Sequence, residues 1–225
     1  SEEKRYYEFR NFLSESSVKP VWSGYERGFP FEREFETALL LEIEHRLDSG
    51  QLQAEPIILH GQTGTGKTIA LGSLAYRVRK KSKYPVLFIE RRTDLPHVAD
   101  LDSFCKWAED SGADMVLIVW DGMLDGEQYY NCLQYLVSRG RKVVLVGSSY
   151  RYDKARKRNY IEAPAVLSEQ EFVNFMTFLN SFEPTLGEIF KRRINPADGT
   201  FLVALYRLLP PTRSGIRVGV LQEMD

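Results

Sequence analysis

The octapeptide G-Q-T-G-T-G-K-T, residues 61–68, is the part of this sequence whose residue types and spacing most clearly predict chemistry. It directly follows the apolar run 56–60, so a buried strand is predicted to end where the glycines begin. Glycines allow the backbone to turn its N–H groups inward around a polyphosphate. A helix that starts there points the positive end of its dipole at the same anion. This Walker A pattern predicts a phosphate-binding loop.

Two side chains of the loop have predicted roles. Lys67 is expected to reach the β- and γ-phosphates, and the hydroxyl of Thr68 is expected to bind Mg²⁺. The loop and the residue after it form the main part of the predicted cofactor-binding set, which comprises Gly61, Gln62, Thr63, Gly64, Thr65, Gly66, Lys67, Thr68 and Ile69.

A second apolar run, 115–120, ends in a carboxylate, Asp121. Because the run is apolar on both faces, it predicts a central parallel strand, and ligands of such sheets bind at the carboxyl ends of the strands. This Walker B pattern predicts that Asp121 holds Mg²⁺ through the water shell of the metal. Asp125 or Glu127 could orient the attacking water, with a solvated acidic turn as the equal alternative.

A third apolar run, 143–146, leads into Ser148, Ser149 and Arg151. In sheets of this class, the strand after Walker B lies between the Walker B strand and the phosphate-loop strand. Ser148 or Ser149 is therefore expected to face the γ-phosphate, and Arg151 to stabilise charge there unless it is a solvated loop cation. The predicted catalytic set is Lys67, Asp121, Asp125 and Arg151.

The order of elements predicts the architecture. Apolar strands at 56–60, 86–89, 115–120, 143–146 and 160–162 alternate with amphipathic helices, which is typical of a three-layer α/β fold with a parallel sheet. From residue 168 the pattern is helical, beginning with a capping box of Ser168 and Glu171. We therefore predict an aromatic-rich lead-in segment (1–35), a P-loop nucleotide-binding domain (36–164) and a small helical lid (165–225).

Composition limits the possible partners. The 225 residues carry a net charge of −1, which gives no long-range attraction to nucleic acid or membranes. The two cysteines lie on apolar faces of predicted helices, which favours free thiols in a reducing cytoplasm. We see no membrane-length apolar run and no signal peptide, and because the chain starts at Ser1 we expect a piece of a larger protein. For the basic, tyrosine-rich stretch 150–160, we favour a solvated loop or a subunit contact over nucleic acid.

The order of these motifs resembles STAND-class NTPases, relatives of the AAA+ ATPases that act as molecular switches in immunity. The resemblance covers residues 31–213 and rests on GQTGTGKT, MVLIVWDG, VVLVGSSYR and APAVLSEQEFVNFM, while the stretch NPADGTFLVALYRLLPPTR is most similar to prokaryotic antiviral members. It implies five strands in ASCE-type order, binding of ATP or ADP with Mg²⁺, and slow hydrolysis. It also implies an effector domain, a sensor domain and self-association in the full-length protein.

The sequence departs from that family at defined positions. The D-G-x-D-E pattern of NACHT-type members is interrupted by an insertion within 121–127, and the adenine-contacting G-x-P element corresponds to 199–201, with Phe201 in place of proline. The family's GRE-like element corresponds to 31–34, which implies adenine contacts from the segment 29–33, including Arg33. ATP and ADP are then expected to favour different positions of the lid.

Two alternatives stay open at this stage. The first is an AAA+ or origin-recognition-like ATPase that acts on nucleic acid through the basic stretch. The second is a module that binds nucleotide without turnover, which the insertion after Asp121 would favour. A small-molecule kinase is less favoured because no acceptor-binding segment is evident.

Overall fold

An all-parallel sheet of five strands forms the centre of the protein, as a computed structural model shows for residues 2–16, 19–81, 84–91, 94–150 and 159–193. The strands are β1 (Ile57–His60), β2 (Val86–Ile89), β3 (Val116–Trp120), β4 (Val143–Ser149) and β5 (Tyr160–Glu162). Their order is β2-β3-β4-β1-β5, with every pair parallel. The predicted fold class is confirmed, and β4 lies between the two Walker strands as expected.

Helices cover both faces of this sheet, because its central strands are apolar on each side. On one face lie α3 (Glu34–Ser49) and α4 (Lys67–Lys81), and on the other lie α5 (Val98–Asp110) and α6 (Gly126–Ser138). Each helix presents one apolar stripe to the sheet. Cys105 and Cys132 lie within the α5 and α6 stripes and are buried, free thiols, as the sequence predicts.

The lead-in segment and the helices after the sheet share a separate aromatic core. The lead-in forms α1 (Glu2–Glu15) and α2 (Trp22–Glu26), while α7 (Glu169–Asn180) and α8 (Leu186–Arg193) follow β5. The Phe9 ring stacks on that of Phe182 at 4.1 Å between centroids, and Phe31 packs edge-on against Phe175 at 4.8 Å. The two chain segments that flank the nucleotide-binding domain in sequence are thus joined in space.

One strand extends further than the sequence predicts, and the extension builds the site. β4 continues to Ser149, three residues past the predicted end. Gly147 leaves room for the Tyr129 ring to pack against this extension, since a Cβ there would lie 2.5 Å from the ring. Tyr129 in turn donates a hydrogen bond from its hydroxyl to the Ser148 carbonyl at 2.6 Å. The strand therefore delivers Ser148 and Ser149 in fixed positions at the end of the sheet.

The remaining differences are at element ends. The apolar spacing predicts helices that start at about 36 and near 102, whereas α3 begins at Glu34 and α5 begins at Val98. The capping box at the start of α7 is present as predicted, with Ser168 Oγ accepting from the Glu171 N–H at 3.0 Å. The sequence also predicts a helix over 201–209, and both this segment and Arg151 lie outside the described residues. Within the described ranges, no helix combines the length and the apolar character needed to cross a bilayer.

Candidate nucleotide-binding site

The predicted phosphate loop connects β1 to α4, so its backbone lies at the carboxyl end of the sheet and at the start of a helix. Gly64 and Gly66 have φ angles of +77° and +91°, a region that side chains with a Cβ rarely adopt. Gly61 lies so close to the chain after β5 that a Cβ would be 2.5 Å from the Ala163 carbonyl. The glycines at these three positions are therefore required by the conformation of the loop.

Lys67 is the first residue of α4, and its ammonium lies within this loop. Nζ donates to the carbonyls of Gly61 at 2.6 Å and Gln62 at 2.7 Å, and the side chain is almost completely buried. The ring of Tyr150 lies 5.5 Å from Nζ, and Arg91 contacts the same ring and hydrogen-bonds to the Tyr150 hydroxyl. A cation is thus held where the sequence predicts the phosphates of a nucleotide.

Asp121 follows β3 and is buried with an exposed fraction of 1%. The Ser148 hydroxyl donates to Asp121 Oδ1 at 2.7 Å and accepts the Met123 N–H at 3.0 Å. Among the residues that the structure describes, no other side chain hydrogen-bonds to the Asp121 carboxylate. Ser148, which is predicted to face a γ-phosphate, therefore fixes the orientation of the Walker B carboxylate in this structure and leaves Oδ2 without a hydrogen-bond donor among the described residues.

Arg33 lies beside the phosphate loop as the N-cap residue of α3, and it is 2% exposed. Its Nη1 donates to the Thr65 carbonyl at 3.0 Å, and its Nε donates to Glu171 Oε1 at 2.7 Å. Nη2 donates to the Pro164 carbonyl at 3.0 Å. The residue predicted to contact adenine is therefore near the site, but its guanidinium is directed at protein acceptors.

A small apolar cavity adjoins the loop on the side of the lead-in segment. Its volume is about 20 Å³, room for about one water molecule. The aromatic side chains of the lead-in and of α7 form its walls, and the backbone at the start of α4 closes it; the lining includes Phe29, Phe31, Phe175, Phe178, Gly66 and Ile69. The predicted adenine-contacting segment 29–33 therefore lies directly beside the phosphate loop.

Comparison with known families agrees with this geometry. A family model described as novel STAND NTPase 5 matches residues 15–160, which include both Walker motifs and the strand between them. The chain belongs to this STAND NTPase family. It is accordingly a P-loop NTPase module.

Solved structures with similar folds are distant from this STAND NTPase. PCH-2 of C. elegans is 18% identical with a TM-score of 0.45, over 68% of this chain and 47% of its own length. AMPPCP-bound DnaA from Aquifex aeolicus is 13% identical with a TM-score of 0.45, over 88% of this chain and 69% of that one. A chain of the E. coli MS115-1 HORMA:CdnC:Trip13 complex is 12% identical with a TM-score of 0.37, over 74% of this chain and 76% of that one. The chain spans about half the length of PCH-2, and no curated protein matches it.

The predicted water-activating carboxylates of the STAND module lie at the start of α6. Asp125 is the N-cap residue and Glu127 belongs to the first turn; both are exposed. Negative charge at this position is stabilised by the helix dipole, which accounts for the acidic turn without catalysis. A role for Asp125 in turnover stays a prediction, and Arg151, the fourth predicted catalytic residue, lies outside the described residues.

Several residues of the site were not found by reasoning from the sequence. Glu171 was identified only as a helix cap, although its carboxylate also binds Arg33. Arg91 lies two residues past β2, and its proximity to Tyr150 follows from the rule that parallel strands end at the same edge. Glu36 belongs to no motif that the sequence analysis identifies, because its unusual property is its burial, which depends on the fold.

Glu36 is a buried carboxyl group on the wall of the cavity, with an exposed fraction of 1%. Oε1 accepts the Arg33 N–H at 3.0 Å, and Oε2 has no hydrogen-bond partner among the described residues. Burial raises the pKa of Glu36 from its ordinary 4.5 to about 7, partly offset by the Arg33 N–H. The folded protein therefore resists ionisation of this group at neutral pH.

Glu36→Gln is expected to gain stability relative to the wild type as the pH rises from 5 to 8, by about 2.5 kcal/mol. The folded-state pKa of Glu36 lies above the unfolded value, so the wild type loses stability between the two values, whereas glutamine does not titrate. Urea denaturation at both pH values measures the difference. Glu44→Gln, the same change on a more exposed part of α3, is the control. An equal gain at pH 5 and pH 8 would contradict the assignment.

Proposed function

We propose that this chain binds ATP or ADP with Mg²⁺, hydrolyses ATP slowly and serves as the switch module of a larger STAND-type protein. The observation that carries this proposal is the junction of β1 and α4, where a loop with two left-handed glycines surrounds the ammonium of Lys67. Backbone N–H groups, a helix N-terminus and a buried cation at one point form a site for polyphosphate.

Magnesium fits the residues beside this loop. The Thr68 hydroxyl lies in the first turn of α4, and Asp121 presents an oxygen that no described residue hydrogen-bonds. Mg²⁺ prefers oxygen ligands and keeps several waters, so two protein groups and the phosphates suffice. When bound, the ion would neutralise phosphate charge. Ser148 holds Asp121 in one orientation, which limits the reorganisation that binding requires.

The base is proposed to bind against the segment 29–33, in the apolar cavity beside Gly66 and Ile69. The aromatic walls provide stacking surfaces for a purine. Because the cavity has room for only about one water molecule, the base can enter only if the lead-in and α7 move apart. This requirement connects nucleotide binding to the position of α7, which is the movement that a switch needs.

The switch itself depends on a difference between the two nucleotides. A ligand shifts a conformational equilibrium only if it binds one arrangement better than the other. We propose that ATP and ADP favour different lid positions, with a coupling of about 1 to 3 kcal/mol as is typical of allosteric systems. In a full-length cytoplasmic defence protein of this family type, this difference would control self-association and an attached effector domain.

A module that binds nucleotide without turnover is the second candidate. It is favoured by the exposed positions of Asp125 and Glu127, which contrast with the burial of Asp121. The nucleic-acid ATPase has no such support, because the basic residues of the stretch 150–160 all lie within 151–158, outside the described residues, and the net charge is −1.

Lys67→Ala is expected to abolish binding of ADP and of a non-hydrolysable ATP analogue, because the ammonium is the one buried cation within the described part of the loop. Isothermal calorimetry measures the affinities. Lys80→Ala, an exposed lysine in the last turn of the same helix, is the control and should bind as the wild type does. Unchanged affinity in Lys67→Ala would contradict the phosphate-loop assignment.

Asp121→Asn is expected to reduce Mg²⁺ dependence and phosphate release much more than nucleotide affinity, since the backbone of the loop is unchanged while the metal loses a charged oxygen partner. Phosphate release measured over hours tests this, with the exposed Asp110→Asn as control. The wild type should turn over slowly. A wild-type rate of many per second would argue for a motor or a kinase, and no release at all would favour the binding module.

A further inference from the structure

One peptide group of the phosphate loop is held from outside the loop. The carbonyl of Thr65 accepts from Arg33 Nη1 at 3.0 Å, and both residues are buried. A trans peptide points its carbonyl and the following N–H in opposite directions. The hydrogen bond from Arg33 therefore turns the Gly66 N–H away from Arg33. Orientation of that N–H decides whether it can donate to a phosphate.

The same guanidinium is bound to the first turn of α7. Arg33 Nε and Nη2 donate to the two oxygens of Glu171, at 2.7 Å and 3.3 Å. Glu171 also accepts the backbone N–H groups of Glu34 at 2.9 Å and Ser168 at 3.1 Å. The carboxylate therefore joins the start of α3 to the start of α7, and its four donors compensate for its burial.

The chain segment that connects the sheet to α7 also contacts the Arg33 guanidinium. Pro164 and Val166, in the chain between β5 and α7, direct their carbonyls at Arg33 Nη2, at 3.0 Å and 3.4 Å. Any displacement of α7 relative to the sheet must change the distances from Arg33 to Glu171 or to these carbonyls. The guanidinium that orients the phosphate loop is thus the group that a moving α7 would disturb.

We propose that Arg33 is a positioning residue for the phosphate loop, which through its ion pair with Glu171 makes the affinity of the loop for polyphosphate depend on the position of α7. The inference rests on the proposed nucleotide binding and names its regulation. It differs from a contact between Arg33 and adenine, because the residue acts here on the loop backbone and not on the base.

Inorganic tripolyphosphate separates these two roles, since it occupies a phosphate loop but has no base. Arg33→Lys keeps the positive charge beside Glu171 but lacks the fork that reaches both Glu171 and Thr65. If Arg33 orients the loop, the variant loses affinity for tripolyphosphate and for ATP by the same factor, at least about tenfold, as for one hydrogen bond to a charged group. If Arg33 binds the base, the affinity for ATP alone falls.

Glu171→Gln tests the connection to α7. Within the described residues, Glu171 reaches the loop only through Arg33, so this variant should also weaken tripolyphosphate binding. The double variant Arg33→Lys/Glu171→Gln should bind no more weakly than Arg33→Lys alone, because both changes act through one connection. Additive losses in the double variant would overturn the proposed coupling.

Arg141→Lys is the matched control for general destabilisation. Arg141 forms partly buried ion pairs with Asp102 at 2.6 Å and Glu109 at 2.8 Å. These ion pairs join α5 to the start of β4, and they do not involve the phosphate loop. It should lower the melting temperature without changing the affinity for tripolyphosphate. An affinity loss in Arg141→Lys equal to that in Arg33→Lys would mean that Arg33 acts only through stability, and would overturn the inference.

The outcomes also separate this inference from the proposed function. If the wild type binds tripolyphosphate and ATP and Lys67→Ala does not, the phosphate site stands, and unchanged affinity in Arg33→Lys then overturns the positioning role alone. If the wild type binds neither probe, or Lys67→Ala binds both as well as the wild type, the proposed function fails and the inference fails with it.

Discussion

The hydrogen bond between Arg33 and the Thr65 carbonyl is the contact on which the arrangement of the site depends. It links the start of α3, the phosphate loop and, through Glu171, the start of α7. These elements are far apart in sequence, and the guanidinium is the one group within the described structure that contacts all of them. A buried ion pair is costly unless its hydrogen bonds are satisfied, and four donors satisfy the Glu171 carboxylate here.

The features that the sequence predicted correctly are those with local causes. The phosphate loop is determined by its glycines and by the strand before it, and the parallel sheet follows from apolar runs separated by helices, whereas the order of its strands is what the family resemblance implies. The lead-in helices were not predicted, because the partners of Phe9, such as Phe178 and Phe182, lie in and after α7. Periodicity within one segment cannot reveal an apolar face that is completed by a segment so distant in sequence.

The site residues also differ in whether local sequence or tertiary packing determines their contacts. Lys67 and Asp121 lie at the predicted end of the sheet, since motif and strand together fix their location. Ser148 and Arg33 lie near the predicted place but contact other groups, Asp121 and the Thr65 carbonyl respectively. A motif locates a side chain along the chain, whereas its hydrogen-bond partner depends on which backbone groups tertiary packing brings within reach.

The aromatic core between the lead-in and α7 closes the cavity beside the loop. In the proposed switch, a base that enters this cavity must separate the apolar contacts that stabilise the closed form. The most direct test is a distance measurement between labels on Lys80→Cys in α4 and Val173→Cys in α7. The native thiols should not react with the labels, because burial raises the pKa of Cys105 to about 12 and that of Cys132 to about 11. The account predicts different distance distributions with ADP and with a non-hydrolysable ATP analogue. Identical distributions in the two states would contradict it.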